Sequence, residues 1–150
     1  MMKSTRSRRE FAALLPAAVV ATAAASSQVQ AAPAVLKSTT YKFEDLPVRE
    51  GATSKGRNVF DGATHSGFHI DMHLTELLPG KMPHGAHKHE HEELLMIREG
   101  SLEVTIEGKV TTVGPGSVVY VASNEMHGWK NVSDKSAHYF VMALGRPSGK

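Results

Sequence analysis

Cysteine is absent from the 150-residue chain, so disulfides, thiolate metal ligands and a cysteine nucleophile are all excluded. Aromatic residues make up only 6%, with a single Trp, and the basic residues neither form a stripe nor interleave with aromatics. The usual signature of a nucleic-acid surface is therefore missing. The longest weakly apolar run, Phe11 to Ala25, is interrupted by Pro16 and Thr22 and is too short to span a bilayer comfortably. No stretch carries a 3.6-residue apolar stripe and no internal repeat is visible, which argues against helical bundles and solenoids.

One sign of charge is also scarcer than the overall pI of 8.9 suggests. Ser7-Arg8-Arg9-Glu10-Phe11 is a twin-arginine pattern, preceded by Lys3 and Arg6 and followed by an Ala-rich run and a small-residue stretch at 28–34. Residues 1–32 are expected to be an export signal cut after Ala31 or Ala32. The mature protein is then periplasmic or extracellular, exported folded, with no membrane attachment. The signal holds four of the 17 basic and one of the 15 acidic residues, leaving 13 against 14. Folding before export would let the chain take up its metal in the cytoplasm, away from copper and zinc that outcompete weaker-binding divalent ions.

What the chain does have is histidine: all nine follow the signal. His87, His89, His91 and Glu93 share one parity in Pro83-His84-Gly85-Ala86-His87-Lys88-His89-Glu90-His91-Glu92-Glu93, while Lys88, Glu90 and Glu92 share the other. A later segment, Met126-His127-Gly128-Trp129, supplies one more imidazole with Trp129 on its face. Three imidazoles and one carboxylate, His87, His89, His127 and Glu93, suit one divalent first-row ion per chain. Manganese, iron and nickel come first, with zinc and copper as the remaining candidates. Four ligands leave one or two coordination positions open, unlike the closed cage of a structural zinc. Leu95 and Ile97 follow Glu93 in parity and are expected to floor a substrate pocket, with Trp129 in its wall and His84 at its mouth.

The rest of the chain reads as short strands. Phe68, Ile70, Met72 and Leu74 alternate with His69, Asp71, His73 and Thr75. The His69–Asp71–His73 face reads as a solvated or subunit-facing polar stripe, with a second ligand site as the alternative. Strands are expected to Glu99, then over Leu102 to Ile106, Val110 to Val113, Val118 to Val121, Met126 to Asn131 and Ala137 to Leu144. Residues 33–59 read as an extended arm, with a strand over Val35 to Phe43 and a loop over Pro47 to Arg57. Residues 60–150 read as a small all-β barrel whose closure removes unpaired edges. A core of this size is marginal alone, which favours a homodimer sharing the arm or an outer sheet.

These two segments resemble the motifs of the cupin superfamily. In the first, a His-x-His pair is followed by Glu and then Gly, here His87, His89, Glu93 and Gly100; in the second, Gly116, His127 and Asn131 occupy matching positions. Ala122 and Asn124 stand where that pattern has Pro and Gly, and Gly80 is displaced by one residue; all three are turn-shaping positions, and Asn tolerates the left-handed conformation. The resemblance implies a double-stranded β-helix, a jelly-roll barrel, over roughly residues 60–145. It further implies a metal-dependent enzyme, an oxidoreductase of dioxygenase type acting on a small enediol, hydroxy-keto or phenolic substrate, in which Glu93 doubles as ligand and catalytic base. A non-catalytic cupin binding a sugar or organic acid, and an oxygen-independent isomerase or lyase, are the competing readings. His91 falls at a variable position of the motif and reads as a solvated residue or a support for the ligands.

Overall fold

The computed structural model describes residues 34–145; the expected export signal lies outside the described residues. Nine strands follow a short 3-10 turn at Phe43–Asp45: β1 Arg49–Glu50, β2 Ser54–Ala63, β3 His69–Leu77, β4 Glu92–Glu99, β5 Leu102–Ile106, β6 Lys109–Val113, β7 Val118–Val121, β8 His127–Asn131 and β9 Ala137–Leu144. They form a six-stranded sheet in the order β1-β2-β3-β9-β4-β7 and a three-stranded sheet β6-β5-β8, with antiparallel pairing throughout. The class is all-β, as the turn signals and alternation imply. Among the described residues no helix is long and apolar enough to cross a membrane.

Local chemistry sets the corners. Glu107 and Gly108 both have positive φ, 46° and 77°, the two-residue mirror-image turn that a twisted β5–β6 hairpin requires. Gly100 closes β4 to β5 at φ 80°, and a Cβ there would lie 2.8 Å from Ala137, so only glycine fits. Asn124 takes the left-handed conformation at φ 63° in the turn before β8.

The core lies between the two sheets. Leu77, Leu95, Ile97, Val121, Tyr139 and Val141 from the larger sheet meet Leu102, Val104 and Trp129 from the smaller one. Asn131 is fully buried at the end of β8 and acts as a polar knot. Its Nδ2 donates to the carbonyls of Leu77 at 2.9 Å and Lys135 at 2.8 Å, and its Oδ1 accepts from the Ser133 N–H at 2.9 Å. These bonds tie the end of β3 to the β8–β9 turn.

The arm docks on its own barrel. Val35 makes a single parallel bridge to Ala63, and the Leu36 N–H donates to the Ala63 carbonyl at 2.8 Å. Tyr41 packs on Phe60 at 5.8 Å between ring centroids, and the Arg57 guanidinium lies over the Phe43 ring at 4.3 Å. Two expectations for this region need correction. The strand over Val35 to Phe43 is only that one bridge, and the loop over Pro47 to Arg57 contains β1 and the start of β2. The alternation in β2 is hidden because Gly56 and Asn58 replace apolar residues on its inner face.

The face assignment of β3 is also corrected. The His69–Asp71–His73 stripe runs on the inner side with Thr75 and Leu77, both buried, whereas Met72 and Leu74 sit on the outer side. Across the register, Phe60, Met72, Met142, Leu94 and Tyr120 form one outer row, and Leu74, Phe140, Met96 and Val118 form the next.

Replacing Asn131 by Ala would strand two buried carbonyls and an amide without partners. We expect Asn131→Ala to destabilise the fold by about 2–4 kcal/mol, read as a lower urea midpoint at unchanged slope.

Candidate metal centre

The ligand segment is not an extended strand. Residues 84–91 form a loop before β4, and its shape comes from specific hydrogen bonds. The His87 N–H donates to the His127 carbonyl at 3.0 Å and the His127 N–H returns to the His87 carbonyl at 2.9 Å, an isolated antiparallel bridge. Two residues on, the His89 carbonyl accepts from the Asn124 N–H at 2.7 Å. Gly128 lets the loop come this close, since a Cβ there would stand 3.3 Å from Ala86 Cα.

The result brings His87, His89, Glu93 and His127 together. Ligand atoms of His87, His89 and His127 lie within 4.8 Å of one another, and so do those of His89, His91 and Glu93. His89 Nε2 is 3.6 Å from Glu93 Oε1, and His127 Nε2 is 3.3 Å from Glu93 Oε2. Two donors each about 2.1 Å from a shared ion, at octahedral to tetrahedral angles, stand about 3.0–3.4 Å apart. The carboxylate–imidazole spacing is close to that.

The unpaired atoms make the stronger case. His87 Nδ1, His89 Nε2, Glu93 Oε2 and His127 Nε2 are all buried with no hydrogen-bond partner. Each such group costs free energy when left unsatisfied, and four at one point are explained together by an ion. The outer nitrogens are already used: His89 Nδ1 lies 2.7 Å from the His91 carbonyl and His127 Nδ1 lies 2.8 Å from the Glu125 carbonyl. A carbonyl only accepts, so both rings carry the proton on Nδ1 and present the Nε2 lone pair inward. These residues fit a divalent metal.

Other side chains brace the cluster. His91 stacks flat on His89, 3.6 Å between centroids and 7° between planes, with its Nε2 3.9 Å from Glu93 Oε1. His84 meets His87 edge-on at 4.3 Å and Trp129 at 5.6 Å. Burial lowers the His87 pKa below 6.5, with His84, His127 and His89 acting in the same direction and Glu93 opposing. Burial also lowers that of His91, helped by His89 and opposed by Glu93 and Asp71.

A cavity of about 330 Å³ opens beside the cluster, lined by Glu93, Trp129 and His84 together with His73, Thr75 and Tyr139. This volume is at the small end for ligand sites, which favours a compact substrate. Leu95 and Ile97 do not line it; both are buried in the apolar core, and their β9 neighbours Val141 and Tyr139 line the cavity instead. The Trp129 Nε1–H donates to the Tyr139 hydroxyl oxygen at 2.9 Å. Burial pushes Tyr139 up to about 12, against the pull of hydrogen bonds from Trp129 and Thr75, so the phenol stays protonated. His73, Thr75 and Tyr139 were not singled out from sequence as pocket residues, and only the β3–β9 register, which pairs Thr75 with Tyr139, reveals them.

Comparison with known proteins agrees with this geometry. Residues 73–143 match the family described as Cupin domain. An RmlC-like cupin from Shewanella frigidimarina superposes with TM-score 0.60 at 17% identity, over 73% of this chain and 93% of that one. KdgF from Halomonas sp. gives 0.63 at 16%, over 73% and 96%, and an oxalate decarboxylase variant from B. subtilis gives 0.57 at 21%, over 73% and 31%. No curated protein matches the chain. Residues 73–143 are therefore similar to a cupin domain, and the fold is the one these cupin structures share, with a cluster able to hold a metal ion.

About one divalent ion per chain is expected by elemental analysis of the wild type, and near zero in His89→Ala and His127→Ala. The depressed His87 pKa means that the folded chain favours the neutral ring, an advantage complete above pH 6.5 and lost as pH falls through the lowered value. Metal occupancy should thus persist at pH 6.5 and fall only in stronger acid; release beginning above pH 6.5 would contradict the neutral, buried ligand set.

Proposed function

We propose that the protein is a metal-dependent enzyme of the cell envelope, an oxidoreductase of dioxygenase type acting on a small oxygen-rich molecule such as an enediol, hydroxy-keto acid or phenol. The convergence of four buried, unpaired donor atoms beside a cavity carries this reading. His87, His89, Glu93 and His127 would hold manganese, iron or nickel. When bound, such an ion supplies an electrophilic centre for the substrate's oxygens.

The chain's own groups supply the rest. Glu93 is the one carboxylate of the cluster that also faces the cavity, which suits it to take a proton from a substrate hydroxyl. Tyr139 keeps its proton and, being bonded to Trp129 through its oxygen, is a neutral donor and not a base. Trp129 and Val141 keep the inner wall apolar and limit water, while His84 narrows the mouth.

Two further parts of the reading concern assembly and location. The outer rows of the six-stranded sheet are apolar, with Val118 and Tyr120 60% and 56% exposed, and a second copy packed on them would form a homodimer. Residues 1–32 would be the twin-arginine signal that delivers this unit already folded.

Glu93→Gln tests the chemistry. It should retain its metal and lose turnover by about 10²–10⁴-fold in an oxygen-uptake screen of small enediols and hydroxy-keto acids, whereas a simple binding protein would show no turnover to lose. Turnover that persists without oxygen would instead identify an isomerase or lyase. For the assembly, Val118→Lys with Met96→Lys should convert a dimer to a monomer in sedimentation; an unchanged mass would place the subunit contact elsewhere.

A further inference from the structure

The cavity has a rim that the metal cluster does not explain. Arg49, Glu50, Gly51 and Ser54, from the β1–β2 hairpin, line the same space as Glu93 and Trp129. In the sheet register Arg49 lies opposite Gly56, Gly56 opposite Thr75, and Thr75 opposite Tyr139. These four positions form one row across the inner face, running from the rim to the floor. Because Gly56 has no side chain, the Arg49 guanidinium lies across it, with Nη2 4.0 Å from where a Cβ would be. It donates onward to Asn58 Oδ1, next to His73 in the register.

The charges at this rim do not cancel. Glu50 is paired with Lys55 at 3.2 Å, and Glu93 belongs to the metal cluster. Arg49 has no carboxylate partner among the described residues; its one side-chain partner is a neutral amide. A guanidinium has five N–H donors in a planar fork, and the amide uses one of them. The rest of the fork is available to a group inside the cavity, and its geometry matches a carboxylate.

We infer that Arg49 is a specificity-determining residue that captures a carboxylate on the substrate, so that the substrate class is a small organic acid with oxygen donors toward the metal cluster at its other end. This inference rests on the proposed metal-dependent reading and narrows it. The cavity volume of about 330 Å³ suits such a compact acid better than an extended polycyclic phenol. Asn58 positions the guanidinium, and Gly56 leaves it room.

The test uses the metal-loaded full chain and calorimetric titration with malonate, succinate and glutarate, each beside its monoamide, which keeps one carboxylate for the metal and removes the second. Wild type should prefer at least one diacid over its monoamide by roughly tenfold or more, the loss expected when a charge-assisted pair goes unmade. In Arg49→Gln that preference should disappear while metal content and thermal midpoint stay unchanged, and Arg49→Lys should restore part of it. A preference that survives in Arg49→Gln, or its absence in metal-loaded wild type, overturns the role of Arg49. Failure of wild type to take up metal is a separate result and overturns the underlying metal reading.

Discussion

The site depends on the pair of backbone hydrogen bonds between His87 and His127. Residues 84–91 lack regular structure, so nothing in their own conformation would hold two imidazoles in place. The reciprocal bonds splice that loop onto β8, and the bond from Asn124 to the His89 carbonyl fixes it again two residues later. Each ring is then oriented separately: His89 and His127 through Nδ1 to backbone carbonyls, His89 also by the stacked His91. The placement of these rings is thus set by the backbone without an ion. An ion held there would not have to order the loop, and more of its binding free energy would be available for affinity.

The same preorganisation has a cost in the metal-free chain. Four buried polar atoms without partners, one of them a carboxylate oxygen, oppose folding unless an ion or protons satisfy them. The apolar core between the sheets, which reaches the cavity through Trp129, Tyr139 and Val141, and the Asn131 knot stabilise the frame against this. A frame that survives the unsatisfied site can fold first and load afterwards, in contrast to small metal domains that are unfolded without their ion.

How much of this could be read in the sequence differs by element. The cluster that could hold an ion was legible because His87, His89, Glu93 and His127 are chemically distinctive and occur in a recognisable order, even though alternation does not extend through a loop. The strands from β3 to β9 were legible because period-two patterning survives wherever one face is buried. Which face is buried was not. In β3 both faces have a reason to be partly apolar or polar: the inner one lines the cavity with the polar side chains of His73 and Thr75, and the outer one adds Met72 and Leu74 to an apolar sheet surface. Alternation reports that two faces differ, and it is silent about orientation when polar side chains line a cavity. Leu95 and Ile97 illustrate the converse: their parity is right, yet Val141 and Tyr139, their neighbours on β9, line the cavity in their place.

The division of labour between segments follows from where each residue falls. All four donor atoms of the metal cluster lie within residues 73–143, the stretch that matches the cupin family. Arg49, Gly51 and Ser54 lie outside it, in the hairpin that β1 and β2 add to one edge of the larger sheet. The common part of the fold can therefore place the cluster while saying nothing about what reaches it. Selection would come from the added edge, where Gly56 leaves room and Asn58 sets the direction of a single unneutralised guanidinium. An edge strand is the part of a sheet that can change with least effect on the core, because it has only one neighbour to satisfy. Substrate choice located there could be altered without disturbing the backbone bonds that hold the ligands.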